Sequence, residues 1–373
     1  MKKERFIAKT YQGIEPLLLQ ELEKLGATHC EILSRGVRFE GNMELLYRIN
    51  YFSRLSVRVL WEISSFSFQN NHQYYEAIYN IPVEQFLEQD GTMAVSTTLH
   101  DTIFNTPLFA AVLAKDAICD RFRTKTNERP SIDKDAPDVQ FHLHIHKNEA
   151  TFYLDSSGES LHKRGYKKAN HIAPLNEITA AAILQFSKWK EDTDLIDFMC
   201  GSGTILIEAA MQALQIPAGF YRSHYGFFSW KNFDQKLWDK VVNSADIKDD
   251  ISINFYGSDI SQRFLDMAKT NVREAKLDDF ILLKKSDFSE TTPKQTPTMV
   301  VINPPYDERL AVEDISAFYK QIGDTLKHHY KDCTAMIITS SKEAMKSIGL
   351  HASQKTTLFN GPLECKLLKY ELY

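Results

Sequence analysis

The sequence predicts an α/β chain whose second half is a doubly wound, mostly parallel sheet and whose first half is two smaller α+β units. Three observations carry this. Short apolar strands and amphipathic helices alternate from about residue 173 onward, a Gly-x-Gly turn joins the first of those strands to its helix, and four successive strands end in a polar residue.

The 373 residues suffice for two or three domains. Lys plus Arg number 44 against 49 Asp plus Glu, a net charge of -5, so no global basic field marks a nucleic-acid binder and any such surface must be local. Cysteines at 30, 119, 200, 333 and 365 form no close pair and no Cys-x-x-Cys. That argues against a zinc knuckle or a disulfide framework and for a reducing, cytoplasmic location. The opening Met-Lys-Lys-Glu-Arg lacks the apolar core of a signal peptide, and no run approaches the roughly 18 apolar residues of a membrane span.

In chain order, residues 6–8 read as a strand. Residues 16–25 read as a helix with Leu18, Leu22 and Leu25 on one face and Gly26 as its stop. Strands follow at 37–40 and 57–63, separated by a helix through Leu45, Leu46 and Ile49. From Tyr74 a second pattern comprises a helix near Phe86, a strand at 93–98, a helix at 108–122, and strands at 139–146 and 150–154 joined by the turn Lys147-Asn148. The segment 156–172 is polar, glycine-bearing and locally basic, and marks a domain boundary. Beyond it a helix at 178–186 precedes the strand through Leu195 and Ile196. Further strands are expected at 253–258, 281–283, 299–302 and 335–339, with helices at 264–275 and 315–326. Segments 356–359 and 363–370, joined at Asn360-Gly361, form a closing antiparallel hairpin.

The chemistry gathers at the strand ends, where a doubly wound sheet holds its ligand. The stretch Asp197-Phe-Met-Cys-Gly-Ser-Gly-Thr204 reads as strand, glycine loop and helix start, whose unpaired amides attract an anion or carboxylate. It lacks the third glycine of the dinucleotide fingerprint and the Gly-Lys-Ser/Thr of a phosphate loop. Asp259 ends the second strand and is the natural ribose clamp. It lies about 60 positions beyond Asp197, where about 20 is ordinary, so residues 215–250, with Trp230 and Trp238, form an excursion. Asp287 with Phe288 can meet an adenine amino group and ring. A lone strand-end acid is ordinarily a helix N-cap; four polar strand ends in succession point to a ligand.

The fourth is Asn303-Pro304-Pro305-Tyr306. Two prolines fix the backbone, and Pro304 restricts Asn303 to an extended conformation. The Asn303 side-chain oxygen and the Pro304 carbonyl can accept both hydrogens of a nucleobase exocyclic amine, and Tyr306 offers a stacking face. His142, His144 and His146 share one strand face, but with no thiolate or carboxylate partner they read as an ordinary surface, and no metal is expected. The run Lys163, Arg164, Tyr166, Lys167 and Lys168 suits either a solvated linker or a nucleic-acid path.

Together these motifs resemble the class I S-adenosylmethionine-dependent RNA methyltransferases with an N-terminal THUMP domain, specifically the bacterial 23S rRNA guanine-N2 methyltransferases. The resemblance spans essentially the whole chain. It includes the junction Leu154-Asp-Ser-Ser-Gly-Glu-Ser-Leu-His-Lys-Arg-Gly-Tyr166, Ala173-Pro-Leu-Asn-Glu177, Gly257-Ser-Asp-Ile260 and Asn360-Gly-Pro-Leu-Glu-Cys365.

It implies a ferredoxin-like domain over 1–65, a THUMP RNA-binding domain over 66–155, a linker over 156–172 and a Rossmann-like methyltransferase domain over 173–373. It further implies cofactor contacts from Asp197, Cys200, Gly201, Ser202, Gly203, Thr204, Asp259, Ile260, Asp287, Phe288 and Asn303. Catalysis would fall to Asn303 through Tyr306. Beside these, the residues' own pattern offers Lys163, Arg164, Tyr166, Lys167 and Lys168 as RNA contacts, a solvated linker being the alternative. Asp307 departs from the glycine expected after the tyrosine, which bears on substrate identity rather than on the reaction. The competing readings are an adenine-N6 methyltransferase, a silent RNA-binding protein on the same scaffold, and a nicotinamide dehydrogenase, the last disfavoured by the missing glycine.

Overall fold

The computed structural model of the chain describes residues 3–168, 175–305, 314–361 and 363–373. The first half comprises β1 (Glu4–Lys9), α1 (Glu15–Leu25), β2 (Thr28–Leu33), β3 (Gly36–Gly41), α2 (Met43–Phe52), β4 (Arg58–Ser67), α3 (Asn71–Tyr79), β5 (Thr92–His100), α4 (Pro107–Thr126), β6 (Ser131–Ile132), β7 (Val139–His146) and β8 (Glu149–Asp155). Local chemistry sets these bounds. Proline opens α1, and Gly26 closes it at φ 106° with its N–H on the Glu23 and Leu22 carbonyls. The Asn42 side chain caps α2 by accepting from the Leu45 amide.

All eight strands form one sheet, ordered β2-β3-β1-β4-β8-β7-β5-β6. β4 makes it continuous, pairing with β1 at residues 58–61 and with β8 along 60–67. The boundary expected at residue 65 therefore falls inside a shared strand. Alternation orients the sheet, with Val139, Phe141, Leu143 and Ile145 entirely buried and His142, His144 and His146 on the opposite face. There His142 is held by the hydroxyls of Ser96 (2.9 Å) and Thr98 (3.3 Å). The helix expected near Phe86 is a single 3-10 turn, Val83–Gln85, and the full helix lies earlier, at α3.

The second half comprises α5 (Glu177–Ser187), β9 (Leu195–Asp197), α6 (Thr204–Ala213), α7 (Gln235–Val242), β10 (Phe255–Asp259), α8 (Gln262–Glu274), β11 (Ile281–Lys285), β12 (Met299–Ile302), α9 (Ile315–His329), β13 (Thr334–Thr339), α10 (Lys342–Ser347), β14 (Gln354–Asn360) and β15 (Leu363–Glu371). The sheet order is β11-β10-β9-β12-β13-β15-β14; the first five strands are parallel, and β15 runs antiparallel to both its neighbours, β13 and β14. Asn360 pairs with Leu363, so β14 runs through Asn360, one residue beyond the limit expected.

The excursion at 215–250 joins the halves. Tyr47, Tyr51 and Trp61 of the first sheet unit meet Phe227, Trp238 and Trp230 at ring separations of 4.5, 5.4 and 5.9 Å. Arg54, also from the first half, donates to the Met211 and Ile216 carbonyls at 3.0 and 2.6 Å and so closes the C-terminal end of α6.

Candidate active site

The chain lays β10 and β11 outward on one side of β9, then returns to place β12 on the other side. The order thus reverses between β9 and β12, where a crevice opens at the carboxyl ends of the strands. Asp287, Asp259, Asp197 and Asn303 line this one edge in that order, so the structure brings together the four strand ends singled out in the sequence.

The glycine loop is bent by Gly201 (φ 52°) and Gly203 (φ 80°), and a Cβ at Gly201 would project into open space. Cys200 N–H donates to the Ser258 carbonyl (3.0 Å) and Gly201 N–H to Asp259 Oδ2 (3.1 Å). Asp259 Oδ1 accepts from Ser261 N–H at 2.9 Å, so this carboxylate, expected as a ribose clamp, also braces the glycine loop. No side chain caps α6 at Gly203, which leaves the first-turn amides for a ligand carboxylate. Cys200, Ser202 and Thr204 are buried, and burial pushes the Cys200 thiol up, with Asp197 and Asp259 adding to it. Asp197, also buried, is pushed up to about 8 by desolvation, against the Met199 N–H it accepts at 3.1 Å.

At the next strand ends Ile260 is 68% exposed, an apolar face beside Asp259. Asp287 Oδ1 accepts from the Ser289 amide and hydroxyl at 2.9 and 2.7 Å, closing a short turn. Phe288 corrects the expectation of a ligand-facing ring. It is buried against Phe198 (5.9 Å) and Phe318 (5.5 Å), because the apolar core behind the strand end offers it more contact than the crevice.

Across the crevice, Asn303 Oδ1 is buried and has no hydrogen-bond partner among the described residues. Pro304 is buried, and the Pro305 carbonyl accepts from the Tyr319 hydroxyl at 3.2 Å, which in turn lies 3.1 Å from Thr339 Oγ1. Tyr306 and Asp307 lie outside the described residues.

The basic junction is also corrected. Arg164 and Tyr166 are fully buried. The Arg164 guanidinium donates to the Arg54 and Leu161 carbonyls at 2.6 and 2.8 Å and faces Glu208 at 3.5 Å, while the Tyr166 hydroxyl donates to Glu208 Oε1 at 3.1 Å. Lys167 is drawn in by Glu177 (2.8 Å). Lys163, paired with Glu159, and Lys168 face solvent. The reason for the burial of Arg164 and Tyr166 is Glu208, the one charged side chain of α6, which must be compensated once buried.

Sequence reading missed Tyr319 and Asn271. Their signal is periodicity: Tyr319 shares the buried face of α9 with Ile322 and Leu326, and Asn271 that of α8 with Leu265, Ala268 and Val272.

Residues 5–60 match the RlmL ferredoxin-like domain, 69–155 the THUMP domain and 164–369 the RMKL-like methyltransferase domain. Fold and matches together define a Rossmann-like methyltransferase with ferredoxin-like and THUMP domains ahead of it. The chain belongs to the RMKL-like methyltransferase family. It is 36% identical, over 99% of its own length and 97% of the other's, to a Synechocystis sp. (strain PCC 6803) protein named as a candidate RNA methyltransferase. A ribosomal RNA large subunit methyltransferase K/L of Syntrophotalea carbinolica is 36% identical over 99% of this chain, which spans about half (53%) of that enzyme's length. Among solved structures, SMU.472, a candidate methyltransferase complexed with SAH, superposes at TM-score 0.90 with 27% identity, covering 100% of this chain and 99% of that one. A Listeria monocytogenes protein inferred to be an N6-adenine-specific DNA methylase superposes at 0.89 with 27% identity, covering 100% and 97%.

Proposed function

We propose that this chain transfers a methyl group from S-adenosylmethionine to the exocyclic N2 amine of a guanine in 23S ribosomal RNA. The observation that carries the reading is the buried Asn303 oxygen, without a hydrogen-bond partner among the described residues and set on a rigid Pro-Pro turn across the crevice from an uncapped helix start. Such an orphaned acceptor costs about 1–3 kcal/mol, which an arriving amine relieves.

The crevice suits the cofactor. The first-turn amides of α6 would take its carboxylate, Asp259 its ribose hydroxyls, Ile260 one face of its adenine and Asp287 the adenine amine. When bound, S-adenosylmethionine supplies a methyl group activated by a sulfonium. The chain's own work lies on the amine, whose lone pair is delocalised into the base. Asn303 Oδ1 and the Pro304 carbonyl accept its two hydrogens and draw the nitrogen toward a tetrahedral, attacking form. The surplus proton leaves to water after transfer. Alignment and electrostatic fit account for the acceleration.

The test uses the intact chain with 23S rRNA and labelled cofactor, followed by nucleoside mass spectrometry. N2-methylguanosine is expected. N6-methyladenosine would instead favour the reading that the Listeria protein's name suggests, and labelled DNA without labelled RNA would overturn the RNA assignment. Asn303→Ala should keep S-adenosylhomocysteine affinity while single-turnover transfer falls by about 10² to 10³. Asp259→Ala should weaken that affinity by about tenfold or more, the scale of a charged hydrogen bond, as read by calorimetry.

A further inference from the structure

Asn271 lies on the buried face of α8 and is itself wholly buried. Its carboxamide reaches two separate elements. Nδ2 donates to the Ser202 carbonyl at 3.1 Å, and Oδ1 accepts the Lys168 amide at 3.0 Å. Ser202 is the middle residue of the glycine loop, where two neighbours of positive φ give the backbone little stiffness of its own. The peptide between Ser202 and Gly203 is pinned from both sides, its N–H by the Cys200 carbonyl (2.8 Å) and its C=O by Asn271. That peptide leads directly into the uncapped start of α6.

Lys168 belongs to the junction, whose Arg164 and Tyr166 sit on Glu208 of α6 and whose Lys167 sits on Glu177 of α5. The junction therefore touches α5, α6 and α8, and the last two meet the loop directly, α6 by starting from it and α8 through Asn271 and Ala268.

We propose that Asn271 is a positioning residue for the cofactor loop, fixing the Ser202 peptide and tying it to the junction between the halves. Cofactor binding and ordering of the junction then strengthen each other, as any linkage between two sites must be reciprocal. The inference rests on the S-adenosylmethionine reading of this crevice.

The experiment measures S-adenosylhomocysteine binding by calorimetry, and amide exchange of the segment 161–168 with and without that ligand, on the full chain. Asn271→Asp keeps an acceptor for Lys168 but cannot donate to Ser202; Asn271→Ala does neither. Both should lose about tenfold or more in affinity, and in the parental chain the ligand should slow exchange at Lys168. A purely structural role would lower the melting temperature of both variants and leave the affinity of the folded protein unchanged, which overturns the proposal. If neither variant folds, the parental exchange decides, and an unchanged Lys168 rate overturns it. A parental chain that binds no S-adenosylhomocysteine overturns the cofactor reading itself, a result separable from parental binding retained in the variants.

Discussion

A carboxyl group without a cationic partner is buried at low cost only when it keeps its proton. Among the described residues Asp197 is in that position, and burial first, then the neighbouring Asp259, raise its pKa to about 8. The folded value lies above the unfolded one near 3.9, so this contribution to stability is full below that pH and is lost as pH rises through about 8. His142 has the opposite sign. Burial, with Lys9, His144 and Arg58 nearby, lowers it to about 4, so its contribution is present above about 6.5 and is lost as pH falls toward 4. Between pH 6.5 and 8 the His142 contribution is complete and no longer varies. The ligand-free melting temperature should therefore decline across that window, and Asp197→Asn should flatten the decline. A variant as steep as the parent by calorimetry would mean that Asp197 is ionised in the fold. Tyr319 allows a separate test, since its hydroxyl steadies the Pro305 carbonyl behind Asn303. Tyr319→Phe should slow single-turnover methylation by about 10- to 100-fold, as misplacement of a reacting group does, with S-adenosylhomocysteine affinity unchanged. Loss of affinity in step with rate would assign the hydroxyl to the cofactor side.

At the scale of elements, the sequence displays what depends on short-range pattern and hides what depends on partners far along the chain. The parallel strands were legible because each is a short apolar run ending in a polar residue, and Met299–Ile302 is found at its expected limits. β2 was not legible, because this edge strand buries none of its residues and so shows no alternation. The four strand ends of the site were legible for the same short-range reason. Phe288 and the junction were misread because their surroundings come from elsewhere: Phe318 lies about 30 positions on, and Arg164 is internal on account of Glu208 and the Arg54 carbonyl. That pair makes its own prediction. Arg164→Met should destabilise the chain by about 3–5 kcal/mol, since it strands a buried carboxylate, and adding Glu208→Leu should recover much of the loss. Denaturant midpoints of the two variants decide it, and a double variant no better than the single would show that Arg164 acts through its carbonyl contacts.

For the whole molecule, a net charge of -5 leaves RNA attraction to local cations and to whatever the eight-stranded unit contributes. Of the five junction residues expected to meet RNA, Lys163 and Lys168 alone project outward, at the seam between that unit and the methyltransferase sheet. Each phosphate neutralised on a single strand steepens the dependence of log K on log salt by about 0.7. Replacing both lysines by glutamine should therefore flatten the slope for 23S rRNA fragments by about 1.4 if both contact phosphate, leaving the remaining slope to the first half. Arg164→Met, whose guanidinium is internal, should leave the slope of the folded protein unchanged. Filter binding across a salt series separates these outcomes. A parental slope in the double lysine variant would remove the junction from the RNA path and leave RNA capture to the first half and the crevice. A flattened slope in Arg164→Met would mean that the junction holds its two outward lysines in register through the buried pair, so that packing and RNA capture are a single property of this segment.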